Sequence, residues 1–114
     1  TNMNNLRPIL VTGKTGTGKT TMARSILPYA LVLYGDELEI DESSVNVENG
    51  LIIEDIHYNA NKEALLRIIR RYRGTLILTS LNEKDIPKEV KALCKIKRAG
   101  TVKYLYGLNK GNRT

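Results

Sequence analysis

Gly13-Lys14-Thr15-Gly16-Thr17-Gly18-Lys19-Thr20 follows the apolar run Pro8-Ile9-Leu10-Val11 and matches the pattern G-x-x-x-x-G-K-[ST] at every fixed position. Glycines at this spacing let backbone N–H groups curl around phosphate oxygens. A helix opening directly behind them adds the positive end of its dipole. Lys19 is then placed to reach the β and γ phosphates, and the Thr20 hydroxyl to sit on Mg²⁺. Lys14, Thr15, Thr17 and Thr21 complete the cradle. The stretch therefore predicts a bound nucleotide.

A phosphate loop needs an acid at the tip of a neighbouring strand, and "LIIED", residues 51–55, supplies two. Glu54 is expected to hold the magnesium, through a water because Mg²⁺ keeps much of its hydration. Asp55 then lies where a carboxylate can polarise an attacking water, which suggests hydrolysis rather than binding alone. Acid pairs of this kind more often run Asp then Glu. Asp55 as the metal ligand, with the base elsewhere, is the alternative assignment.

A second apolar run, "TLILT" at 75–79, ends in Ser80-Leu81-Asn82. Short polar groups at a strand tip beside the loop can orient water or sense the γ-phosphate, so Thr79 and Asn82 are the candidate contacts. Ser and Asn also favour turns in their own right. His57 reads as an exposed loop histidine, and one histidine with one distant cysteine makes no metal site. Cys94 reads as a core residue.

Strands and helices must alternate to position these groups. Strands are expected at 9–12, 30–34, 51–53 and 75–79, and helices at 20–27, 61–72 and 87–93. Residues 36–50 are acidic and turn-rich, and read as a surface segment. On the middle helix Leu65, Ile68, Ile69 and Tyr72 form the apolar stripe, with Lys62, Arg67, Arg70 and Arg71 around it. Residues 95–97 and 101–106 read as hairpin arms, or one broken edge strand, around Ala99-Gly100. The alternation predicts an α/β fold in which helices cover both faces of a mostly parallel sheet.

The 114 residues suffice for a single domain, 1–114, with one core. Hydrophobic residues at 41% and charged residues at 26% give the balance of a globular chain. No apolar stretch approaches the ~20 residues of a membrane span, and no signal-peptide pattern opens the chain, so no membrane partner is expected. A lone cysteine fits a reducing, cytoplasmic setting. The net charge of +6 is uneven: residues 1–60 carry four basic and eight acidic groups, residues 61–114 fourteen and four. A basic half of this kind is a candidate DNA footprint.

The order of strand, phosphate loop, acid-tipped strand, arginine-bearing helix and polar-tipped strand resembles the AAA+ ATPase core. Residues 65–98, "LLRIIRRYRGTLILTSLNEKDIPKEVKALCKIKR", are similar to clamp-loader ATPases, in particular the replication factor C large subunit. Superfamily 3 helicases, from small viruses and plasmids, are a close rival. Their acid motif often begins with Glu and their third motif ends like "ILTS" plus Asn. Only 23 residues separate Asp55 from Thr79 here, little room for the DNA-contacting hairpin of that class.

The resemblance implies a P-loop NTPase three-layer sandwich with sheet order 5-1-4-3-2. It implies ATP and Mg²⁺ as ligands, DNA as a partner, a homo- or hetero-oligomer, and a cytoplasmic protein that could be virus- or plasmid-encoded. The implied activity is ATP hydrolysis in DNA replication or DNA handling. Two departures stand out. Ala92-Leu93-Cys94 offers no arginine where the family places a trans-acting one, and a helical lid is not expected after the last strand. The alternative function is a catalytically weak, nucleotide-dependent binding module within a larger assembly.

Overall fold

The structure, a computed structural model, describes residues 7–35, 46–57 and 62–100. Five strands form its centre: β1 (Ile9–Thr12), β2 (Leu31–Tyr34), β3 (Leu51–Glu54), β4 (Leu76–Ser80) and β5 (Lys95–Arg98). They lie in the order β2-β3-β4-β1-β5, and all four pairings are parallel. This is the order 5-1-4-3-2 that the resemblance implied. Helices α1 (Lys19–Ile26), α2 (Lys62–Arg71) and α3 (Lys88–Leu93), with a 3-10 turn at Glu83–Asp85, make the crossovers.

Period-two alternation sorts the strand residues between two cores. Leu10, Leu51, Ile53, Leu76 and Leu78 pack with Leu65, Ile68, Tyr72 and Val90 of the α2–α3 side. Val11, Ile52 and Ile77 face the other way, against Ala23 of α1 and Ala99. A sheet clad on both faces explains why β3 and β4 are buried along their whole length and read as continuous apolar runs. Each fully buried Leu or Ile contributes about 1.5–3 kcal/mol. The fold is the expected three-layer α/β/α sandwich, with a core on each face of a parallel sheet.

Differences from the sequence expectations lie at element ends. The third strand runs on to Glu54 and the fourth to Ser80, because each tip still finds a hydrogen-bond partner next door: Gly35 N–H donates to Glu54 O at 2.7 Å, and Gly13 N–H to Ser80 O at 3.2 Å. The turn at Glu83–Asp85 was not anticipated; the Asn82 side chain caps it by accepting the Asp85 N–H at 3.1 Å. No hairpin turn forms at Ala99-Gly100. β5 pairs in parallel with β1, and Ala99 and Gly100 are helical, with Ala99 buried against the α1 side. The expected second arm, 101–106, lies outside the described residues, as does most of the 36–50 segment.

Candidate nucleotide site

β1 delivers the chain into the loop and α1 takes it out. Gly16 (φ 85°) and Gly18 (φ 90°) adopt left-handed backbone that a side chain would oppose, and this turns the loop back on itself. Gly18 is the N-cap of α1, and its carbonyl accepts the first helical hydrogen bond, from Met22 N–H at 2.8 Å. Lys14 and Thr17 close the turn inside the loop: the Thr17 hydroxyl and N–H both donate to the Lys14 carbonyl, at 2.7 and 3.1 Å. Lys19 Nζ donates to the Gly13 carbonyl at 2.6 Å, holding the ammonium across the loop. A cleft of about 550 Å³ opens here, lined by Thr15, Gly16, Gly18, Lys19, Thr20 and Thr21. Asp55, His57 and Leu81 line it too.

The acid pair separates cleanly. Glu54 is 5% exposed, and both its carboxylate oxygens accept from the Thr20 hydroxyl, at 3.0 and 3.1 Å. Thr79, fully buried, donates to Glu54 Oε1 at 3.2 Å. Asp55 is half-buried with φ 56°, a left-handed conformation that Asp tolerates better than most residues. Its N–H donates to Thr79 Oγ1 at 3.0 Å, and the next N–H, of Ile56, to the Thr79 carbonyl at 3.0 Å. Thr79 thus holds Glu54 against Thr20 and bends the chain so that Asp55 enters the cleft wall.

These donors suit Mg²⁺. A hydroxyl and a carboxylate are hard oxygen ligands, and Mg²⁺ bound with a nucleotide takes one or two protein oxygens besides phosphate and water. The described residues contain no cluster of three or more acidic, His or Cys groups of the kind a metal cage would need. Thr20 and Glu54 are the residues that would hold the ion, and it would supply positive charge beside the phosphates.

Of the remaining candidates, Asn82 lies apart from the cleft. It lines a neighbouring cavity of about 720 Å³ with Lys14, Thr17, Lys84 and Arg98, and its Oδ1 is committed to the turn cap. Sequence reasoning missed His57, expected as an exposed loop residue. It is half-buried in the cleft wall, with Nδ1 accepting the Leu81 N–H at 3.0 Å and lying 3.4 Å from Ser80 Oγ. Its place two residues after the acid pair was the one available signal.

No protein-family model matches the sequence, and no curated protein matches it. Solved structures do. Two variants of RuvB from Thermotoga maritima superpose with a TM-score of 0.64, at 22% and 21% identity. The match covers 79% of this chain and 36% of the RuvB chain, so the chain spans about a third of the length of those structures. At this identity the likeness shows the fold alone, an all-parallel five-stranded sheet with helices on its faces. Among the described residues no helix is long and apolar enough to cross a membrane.

Proposed function

We propose that the chain binds Mg-ATP at residues 13–21 and hydrolyses the γ-phosphate, as an oligomeric ATPase core acting in DNA replication or DNA handling. The observation that carries the reading is the joined set Thr20–Glu54–Thr79 with Asp55 beside it in the cleft. The reading is supported by Glu54 bonding the Thr20 hydroxyl while Asp55, the next residue, lines the cleft. In this mechanism the loop amides and Lys19 bind and neutralise the terminal phosphates, and Asp55 aligns water for in-line attack. Glu54 is the metal-side acid, since its carboxylate is bonded to Thr20 and withdrawn from the cleft. Thr79 acts by positioning both acids.

DNA as partner rests on the basic second half. Arg67, Arg70 and Arg71 of α2 and Lys95 and Lys97 of β5 are exposed, and phosphate contacts are what such residues make best. Phosphate release from ATP, followed across protein concentrations with and without single- and double-stranded DNA, tests the reading. The rate per subunit is expected to rise with both. Asp55→Asn is expected to keep ATP binding and lose hydrolysis about 100-fold or more. Full hydrolysis by that variant would sink the assignment.

The second reading, a catalytically weak module, is favoured by one feature. The exposed end of α3 carries Ala92 and Leu93, and the nearby Arg7 guanidinium is engaged by the Ala92 and Cys94 carbonyls, at 3.2 and 3.1 Å. Tight binding of ATP without phosphate release, at any concentration of protein or DNA, would select it.

A further inference from the structure

We infer that the outer face of α2 is a surface for the phosphate backbone of duplex DNA, carried by Arg67, Arg70 and Arg71 with Arg73 just past the helix end, and that the β5 lysines are not part of it. The inference rests on the proposed partnership with DNA and names the surface that meets it and the form it takes.

Position comes first. The buried residues of α2 are Ala64, Leu65, Leu66 and Ile68, so Arg67, Arg70 and Arg71 fall together on its exposed side. Side chains three and four residues apart on a helix have Cβ atoms about 5–6 Å apart, and like charges at that spacing repel. Among the described residues the ion pairs are Lys62–Glu89 and Arg98–Glu83, so no carboxylate offsets these arginines at contact distance. Glu63 stands one turn before Arg67 without pairing to it. The helix dipole accounts for cations in the last turn, Arg70 and Arg71, but not for Arg67 in mid-helix or Arg73 beyond the end. Four of the chain's eight arginines fall within residues 67–73, where lysine would serve solubility equally well. The guanidinium fork is the group that grips phosphate oxygens in pairs.

Form comes next. Single strands are held by stacking bases on aromatic rings as well as by charge. α2 exposes no aromatic, and Tyr72 at its end is buried, its hydroxyl donating to the Asn46 carbonyl at 3.2 Å. A face of charge without rings suits a duplex, which offers its phosphates and keeps its bases stacked inside.

β5 differs. Lys95 and Lys97 lie in register with Ile9 and Val11, which pack on the α1 side, so they sit on the opposite face of the sheet from α2. They also belong to an edge strand, where lysines keep other strands from pairing. Their charge has a structural reason that the arginines of α2 lack.

Two charge-matched variants, Arg67→Gln/Arg70→Gln and Lys95→Gln/Lys97→Gln, separate the surfaces. Binding of the full chain to a fluorescein-labelled duplex and to its single strand is followed by anisotropy across a salt series, after thermal melting confirms folding. Wild type is expected to prefer the duplex. The arginine variant should lose about tenfold or more of duplex affinity at about 0.15 M salt, and its log–log salt slope should flatten by about 2, at ~0.9 per lost phosphate contact. The lysine variant should stay within about threefold with its slope unchanged. Arg67→Lys/Arg70→Lys should keep the slope, because the charge remains. Equal losses in the two glutamine variants, or a wild type that prefers the single strand, overturn the inference and leave DNA as a partner. An arginine variant that binds duplex as wild type does but no longer self-associates in sedimentation assigns the row to a second copy and overturns it too. If the double variant does not fold, Arg67→Gln alone decides, with a slope change of about 1. Absence of DNA binding by wild type at every salt concentration would instead strike the DNA reading itself.

Discussion

Thr79→Val removes one hydroxyl from a fully buried position and leaves the side chain's shape almost unchanged. That hydroxyl accepts the Asp55 N–H at 3.0 Å and donates to Glu54 Oε1 at 3.2 Å. Valine leaves the amide of a residue at φ 56° without its partner, at a cost of about 1–2 kcal/mol. It also takes one donor from a buried carboxylate, for about another 1–2 kcal/mol. The two losses share an atom and do not add in full, so ~2–3 kcal/mol is expected. In urea titration of a chain this size the midpoint should fall by roughly 1 M. Thr79→Ser keeps the hydroxyl and gives up one methyl, for about 1 kcal/mol. The serine variant should therefore be the more stable of the two, and should also retain more ATP hydrolysis. A valine variant as stable as wild type, or more stable than serine, would refute the clamp role of Thr79.

Gly35→Ala should bring the end of β2 into collision with β3, since an added Cβ would lie 2.9 Å from Ile56 Cα and close against the Asp55 carbonyl. A loss of about 1–3 kcal/mol is expected, with hydrolysis reduced more than nucleotide affinity; unchanged melting would contradict the close approach. Cys94 is buried at the end of α3, and burial raises its thiol from 9.0 to about 11 against the opposing pull of Arg7. At pH 8 only ~0.1% is thiolate, so a thiol reagent should modify native protein far more slowly than urea-unfolded protein. Because the folded value is the raised one, this thiol's contribution to stability is intact below pH 9 and is lost as pH rises towards 11. Urea midpoints measured across that interval check the direction: Cys94→Ala should flatten the fall, and an identical slope in the variant would contradict it.

The architecture was legible because its signals are local and strong. "LIIED" and "TLILT" are too continuously apolar for anything but doubly covered strands, and the Gly-rich loop fits only between a strand and a helix. Sheet order came from the resemblance, since spacing alone does not say which parallel strands are neighbours. The acid pair was visible, yet two adjacent carboxylates look alike in sequence. Thr20 and Thr79 separate them by binding one and turning the other, which is a matter of one helix and two strands meeting. His57 was missed for the same reason: its partner, Leu81 N–H, is 24 residues away and is a backbone group that no residue type announces. Ala99-Gly100 misled through composition, because a small residue before glycine suits a turn as well as the packed helical backbone these two adopt.

Calorimetric titration of Mg-ATP into the chain and into Lys19→Ala tests the central claim most directly. One nucleotide per chain is expected for wild type, with affinity reduced at least ~100-fold when the ammonium that now bonds the Gly13 carbonyl is removed. No binding by wild type, or equal binding by a folded Lys19→Ala variant, would contradict the assignment of residues 13–21 as a nucleotide site.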